Sequence, residues 1–299
     1  GAYGAKTLEY DLFGNGRTSF DSLVIRAGED YNRAFIREEL FTSLAAEGCP
    51  ELITQDFQYV ALYLNGEFFG IFCMKERLNA DTYAEKIHVP EETCQVVSAG
   101  NGLGRDFMAL YQYAYSHDMT DPECFAYMEE RVDFDSVIDW TVFEAYSGNP
   151  DISGNVRYAY SSEEGKWRFC LYDLDWAFGQ GRLSFTRLLT GRSHYNVFFN
   201  ALIRNPVFRD RFLTRTAELL DGVLANDHVF ARIDELAAIV EPEMPREKEK
   251  WGSSVKAWRQ RLGYLKTYLE IGDRRAELIA DLRTAIRLTA EERQRYFGG

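Results

Sequence analysis

The chain has 299 residues, 46% of them hydrophobic and 15% aromatic, enough apolar material for one large core or two fused lobes and too much for a disordered chain. Its net charge is −13, with 47 acids against 34 bases, which argues against a nucleic-acid partner because phosphate neutralisation supplies most of that affinity. There is no run of 18 apolar residues, so no membrane span is expected.

The N-terminus, Gly1-Ala2-Tyr3-Gly4, has no starting Met and no basic-then-apolar leader. It reads as the cut end of a longer chain, with any export signal lying upstream. The cysteines (Cys49, Cys73, Cys94, Cys124, Cys170) are widely spaced and form no CxxC pair, so they read as buried thiols and not as a zinc site.

In chain order, the first periodic segment is Asn32 to Leu44. There Phe35, Ile36, Leu40, Phe41 and Leu44 make one helical face. Two β-rich runs follow, Phe57 to Leu64 and Glu67 to Lys75, joined by Asn65-Gly66, the strongest short hairpin signal. Asp135 to Tyr146 again has helical spacing. A second hairpin is predicted from Val156 to Tyr160 and Lys166 to Tyr172, across the polar turn Ser161–Gly165.

Beyond about residue 184 the pattern is helical: Phe198 to Leu224, His228 to Val240, Val255 to Leu269 and Arg274 to Ile286 are amphipathic. Asn205-Pro206 and Asp273 are helix starts, and the prolines of Glu241–Pro245 break two helices apart. The expectation is a single α+β domain spanning 1–299, mixed over 1–183 and helical over 184–299.

The residues that point to chemistry lie around the second hairpin. Ser147-Gly-Asn-Pro-Asp151-Ile-Ser-Gly-Asn155 is a turn-rich loop, readable on its own as an Asx-turn scaffold. The returning strand runs into Asp173-Leu174-Asp175-Trp176-Ala177-Phe178-Gly179. If that strand continues, Asp173 and Asp175 share one face, and two like charges there require a cation or a strong donor between them.

With Asp151 and Asn155 brought near by the hairpin, they make an oxygen-ligand set suited to Mg²⁺, Mn²⁺ or Ca²⁺. The alternative is a solvated strand end. Phosphoryl transfer uses such a set: an Asp near the attacking hydroxyl, an Asn in the metal shell, and a metal-binding Asp before Phe-Gly. Here Asp151-x3-Asn155 is one residue shorter than the Asp-x4-Asn of protein kinases.

Several motifs, in order, resemble the spore-coat protein H (CotH) kinase-like family. They are Ile25-Arg26-Ala27-Gly28-Glu29-Asp30 with Arg37-Glu38, Tyr63-Leu64-Asn65-Gly66-Glu67-Phe68-Phe69-Gly70 with Glu76-Arg77, and Asn149-Pro150-Asp151 with Asn155. Lys166-Trp167-Arg168, Asp173 to Gly179, Asn205 to Arg209 and Trp251 extend the resemblance over nearly the whole chain.

The resemblance implies a divergent protein-kinase-like fold that binds ATP with a divalent metal and phosphorylates Ser or Thr hydroxyls of a protein substrate. It implies that Asp151 is the catalytic or metal-proximal Asp. Asp173 would be the main metal ligand, assisted by Asp175, with Asn155 completing the shell. Lys6, Arg26 and Glu76 would contact phosphate or orient residues that do. It also places the start of the chain close to the family's first nucleotide-contacting strands, so part of the ATP cleft is expected upstream. By resemblance, too, the protein would sit outside the cell, at its surface or in a spore coat. A non-catalytic pseudokinase or structural module is the alternative.

Other features read more simply. Gly100-Asn-Gly102-Leu-Gly104-Arg105 fits no phosphate-loop pattern and reads as a loop. Lys75 and Glu76 are adjacent on a strand, so only one faces a cleft, and the resemblance favours Glu76. Arg26 either meets phosphate or pairs with Glu29 or Asp30 to hold its turn. Lys6 by itself reads as a solvated lysine. The four histidines lack ligand spacing, and Ser153 has no histidine nearby in sequence, which argues against serine-hydrolase chemistry. Tyr158, Tyr160, Trp167 and Trp176 read as cross-strand packing before they read as a sugar platform.

Overall fold

A computed structural model describes residues 8–28, 33–179, 184–191, 193–271 and 273–298. Strands β1 (Leu8–Glu9) and β2 (Ser19–Phe20) form a short antiparallel ladder. β3 (Leu23–Ala27) leads to helix α1 (Arg37–Gly48), followed by β4 (Phe57–Leu64) and β5 (Glu67–Glu76). The sheet order is β3-β5-β4, all antiparallel. Asn65 and Gly66 both take positive φ, 52° and 84°, the backbone a two-residue hairpin turn requires.

Helix α1 starts later than its apolar spacing predicts. Arg33 (φ 60°) and Phe35 (φ 70°) adopt left-handed backbone, which interrupts the helix until Arg37.

The middle of the chain holds α2 (Ala80–Ile87), β6 (Cys94–Ser98), α3 (Arg105–Ser116), α4 (Pro122–Glu129) and α5 (Phe134–Ser147). β7 (Arg157–Ser161) and β8 (Lys166–Cys170) form the expected second hairpin, with β6 added on the β7 side. Tyr160 and Trp167 face each other across it with rings 5.0 Å apart, the packing role expected for them.

Helices α6 (Phe185–Leu189), α7 (His194–Leu202), α8 (Pro206–Asp221), α9 (Asn226–Val240), α10 (Met244–Trp251), α11 (Val255–Glu270), α12 (Arg274–Ala285) and α13 (Ala290–Phe297) complete the chain. Asn205 caps α8 by accepting the Val207 N–H at 2.9 Å, so the run Phe198 to Leu224 splits into α7 and α8 at that asparagine. Within the described residues the mixed-then-helical α+β layout is as the sequence indicates. No described helix is long and apolar enough to cross a membrane.

One apolar cluster extends from Ala34 to Phe297, and α5 lies inside it with thirteen of its fourteen residues buried. Such a helix cannot present a polar face to water, so its few polar side chains need internal partners. Asp139, 2% exposed, meets Arg215 of α8 at 2.7 Å. Burial pushes the Asp139 carboxyl upward while Arg215 pulls it down. Arg215 also donates to Gly48 O at 2.5 Å, tying the end of α1 to α5 and α8.

The helical part reaches back over the first sheet as well. Glu247 of α10 accepts the Ile71 N–H at 2.8 Å, and Trp251 Nε1 donates to Phe69 O at 2.8 Å. Gly70 lies beneath, where an added Cβ would stand 3.2 Å from Glu247 Oε2.

Arg215→Met leaves the Asp139 carboxylate buried without its partner. Urea denaturation is expected to show a loss of about 3–5 kcal/mol, much of it recovered when Asp139→Asn is added.

Candidate active site

Three segments meet at the edge of the first sheet: β3, the first turn of α1, and the loop after β8. From β3, Arg26 Nη1 lies 2.5 Å from Asp173 Oδ1 and 3.1 Å from Glu38 Oε2, while Nη2 lies 2.6 Å from Asp175 Oδ2. From β5, Lys75 Nζ lies 2.6 Å from Glu38 Oε2 and 2.7 Å from Glu39 Oε1. A continuous chain of charge therefore runs Lys75, Glu38, Arg26, then Asp173 and Asp175.

The Lys75 end is closed, with Lys75, Glu38 and Glu39 nearly buried. The Asp end is open to water, with the Arg26 side chain 39% exposed. Burial disfavours the Lys75 charge, but Glu39 and Glu38 outweigh it and hold the ammonium above its ordinary range. Burial equally disfavours the Glu39 charge, yet Lys75 holds that carboxyl below its ordinary range. For Arg26, Glu38, Asp173 and Asp175 together overcome burial in the same way. Asp175 is pushed up to about 6, first by burial and then by Asp173, with Arg26 opposing and Glu38 and Asp151 adding to the rise.

The pairing of Asp173 with Asp175 does not come from a strand. β8 stops at Cys170, and Asp173 takes left-handed backbone at φ 61°. The two carboxylates converge because that residue and the following turn curl them onto one guanidinium. The donor their proximity demands is Arg26, which pairs with these aspartates and with Glu38. Glu29 and Asp30 fall outside the described residues.

The loop after α5 is built from its own polar groups. Gly148 ends the helix at φ 62°. Arg274 donates to the Tyr146 and Ala145 carbonyls, and Phe178 N–H donates to Ser147 O at 2.8 Å. Buried Arg37 donates to Ala177 O, fixing the turn that carries Asp175. Asn149, fully buried, donates to Glu144 Oε2 at 3.3 Å and accepts the Asp151 N–H at 3.1 Å. Asn155 Nδ2 donates to Asp151 O at 3.1 Å and lies 3.4 Å from its Oδ2.

Asp151 and Asn155 are thus bonded to each other, Asp173 and Asp175 are held by Arg26, and Asp151 is close enough to add to the rise of Asp175. Among the described residues, Asp151, Asp173 and Asp175 do not bring three ligand oxygens within 4.8 Å of one another. Asp21, Asp81 and Glu91 do so elsewhere, on the surface.

Glu76 points away from this centre. It lies 2.9 Å from Arg17 and 2.9 Å from Lys86, on the opposite face of β5 from Lys75. The strand alternation is as expected, but the residue joined to the charge chain is Lys75, whose partners Glu38 and Glu39 come from α1. Glu38 belongs to the Arg37-Glu38 motif of the resemblance, but its role beside Glu39 as a partner of Lys75 shows only in the first turn of α1 against the sheet. Lys6 lies outside the described residues. His194, whose Nδ1 is 2.6 Å from the Tyr158 hydroxyl, also bonds the Ser153 backbone.

Burial drives the Glu144 carboxyl up to about 8, with the Asn149 hydrogen bond opposing and Asp173 adding to the rise. A carboxyl raised on folding contributes stability that is full below the ordinary carboxyl range and is lost as pH rises through the folded value. Glu144→Gln should therefore melt above the native protein at about pH 9, and the gap should close by about pH 5. Thermal melts across that range check the sign.

A family model described as CotH kinase protein matches residues 6–278. No curated protein matches the sequence. Among solved structures, the chain is similar to one from the Shewanella oneidensis MR-1 toxin–antitoxin system HipA, HipB and its operator DNA complex, at 12% identity and a TM-score of 0.46. The match covers 96% of this chain and 66% of that one, just under two thirds. The family match spans most of the sequence, including Arg26, Lys75, Asp151 and Asp173, and on it the chain belongs to the CotH kinase protein family.

Proposed function

We propose that this chain is an atypical protein kinase of the CotH type, with a protein-kinase-like fold, that transfers phosphate from ATP to a Ser or Thr hydroxyl of a protein substrate with Mg²⁺ or Mn²⁺. The observation that carries the reading is the charge chain from Lys75 through Glu38 and Arg26 to Asp173 and Asp175. Protein kinases join a strand lysine to a helix glutamate beside a metal-binding aspartate, and Lys75 with Glu38 and Glu39 has that form.

In this account Asp173 would be the main metal ligand, with Asp175 assisting and Asn155 completing the oxygen set. The acceptor oxygen attacks the γ-phosphorus, the bond to the β–γ bridging oxygen breaks, and ADP leaves with that oxygen. Asp151 orients the hydroxyl and takes its proton. Arg26 pairs with both aspartates and would have to release them for a divalent cation to be held there. Its planar fork then suits phosphate oxygens. Glu76 has no part in this scheme, because its partners lie on the other face of β5.

A second reading, a non-catalytic module of the same fold, draws on the same guanidinium. If Arg26 keeps both aspartates in every state, the protein is stable without metal and transfers no phosphate. Calorimetry with ATP and Mg²⁺ separates the two. The kinase reading expects metal-dependent binding, weakened by about tenfold or more in Asp173→Ala with the fold intact. No metal-dependent binding to either protein would favour the non-catalytic module.

A further inference from the structure

One cavity stands apart from the acidic centre and shares no lining residue with it. It has a volume of about 780 Å³ and is walled by the end of α3, the turn before α4, the second half of α7 and the end of α12. That is the size of a small-molecule or cofactor site. Its charged lining side chains are Arg204 and Arg287, and none of the described residues lining it carries a carboxylate. On a chain of net charge −13, two arginines lining one hollow, with no carboxylate among the described lining residues, are a local reversal of sign.

Neither arginine has a direct ion pair among the described residues. Asp118 at the rim feels Arg204 only at a distance and accepts the Thr120 N–H instead. Arg287 has left-handed backbone at φ 56°, a conformation glycine would take without strain. It lies just past the end of α12, where a left-handed residue commonly terminates a helix, so a glycine there would keep the backbone and remove only the side chain.

The walls are fixed by polar bonds. Buried Asn205 donates to Met119 O at 2.9 Å. Arg209 donates to Ile286 O at 2.9 Å while pairing with both oxygens of Glu292 at 2.5 and 2.8 Å. Asn200 donates to Gly191 O at 3.3 Å. The two arginine-bearing segments are thus held in place before any ligand arrives. Between them, Tyr115, Val197 and Ile203 offer apolar surface, and Thr284 a hydroxyl.

We propose that this cavity binds an organic phosphate, with Arg204 and Arg287 on the phosphate oxygens and the organic portion against Tyr115 and Val197. A guanidinium matches the geometry and charge of phosphate oxygens, and a bare inorganic ion would leave most of the volume unfilled. The ligand is either a free phosphorylated small molecule or a phosphorylated side chain of a protein. The site is independent of the kinase reading, since it shares no residue with the acidic centre.

The test uses the whole chain and four ligands: phenyl phosphate, inorganic phosphate, a short phosphoserine peptide and its unphosphorylated twin. Calorimetry is run on the native protein, on Arg204→Gln/Arg287→Gln and on Arg287→Gly. Phenyl phosphate or the phosphopeptide should bind more tightly than inorganic phosphate, and the double variant should weaken that binding about tenfold or more. Arg287→Gly should melt no lower than the native protein and yet bind more weakly, a combination that a purely structural arginine would not give.

Binding of phenyl phosphate would assign a free small molecule as the source. Binding of the phosphopeptide alone would assign a protein. Equal binding of the unphosphorylated twin, affinity unchanged in the arginine variants, or no binding of either organic phosphate overturns the proposal. An Asp173→Ala control should bind the same ligands unchanged, which keeps this result separate from the fate of the kinase reading.

Discussion

Two carboxylates on one half-buried turn repel each other strongly, and the repulsion must be answered by charge of the opposite sign. In this protein Arg26 answers it, with one fork of the guanidinium on Asp173 and the other on Asp175. The same group touches Glu38, which in turn shares Lys75 with Glu39. Sheet, helix α1 and the loop after β8 are therefore joined by alternating charges in addition to their apolar packing, in which Phe41 of α1 meets Phe178 with rings 4.9 Å apart. Taking either cation away would leave buried or half-buried acids facing one another.

This arrangement depends on supports further away. Arg215 pins the end of α1 to α5 and α8, which sets where Glu38 and Glu39 stand. Arg274 and Phe178 satisfy the last carbonyls of α5, and Arg37 holds the Ala177 carbonyl, so the loop with Asp151 and the turn with Asp175 are fixed from inside. Glu247 and Trp251 of α10 close over β5 from the helical part. Arg26, Lys75, Glu38 and Glu39 lie on strands and a helix, whereas Asp151, Asn155, Asp173 and Asp175 lie on loops that are bonded to buried helices. That is how the loop-borne part of the site keeps its geometry.

Much of this was legible in the sequence, for identifiable reasons. Asn65-Gly66 fixes a hairpin through backbone conformation alone, and Asn205-Pro206 marks a helix start through capping, so both are readable without tertiary context. The approach of Asp151 to the Asp173–Asp175 pair is readable because a hairpin joins them. What the sequence hides is set by long-range contact. Left-handed backbone at Arg33 and Phe35 delays α1, and nothing local announces it. Glu38 and Glu39 look like ordinary acids in a helical first turn until the sheet brings Lys75 onto them. Periodicity makes Asp173 and Asp175 neighbours by strand pleat, whereas the neighbourhood comes from a left-handed residue and a turn. Strand alternation separates Lys75 from Glu76 but cannot say which of them joins the charge chain.

The central claim is that Arg26 stands where a divalent cation would otherwise be drawn. The most direct test is a Mn²⁺ titration without nucleotide, followed by electron paramagnetic resonance, on the native protein and on Arg26→Met. With the resident cation gone and two carboxylates left side by side, the variant should bind Mn²⁺ about tenfold more tightly or better. Equal or weaker binding in a folded variant would contradict the account, because it would mean that the aspartates do not form a cation site even when the guanidinium is removed.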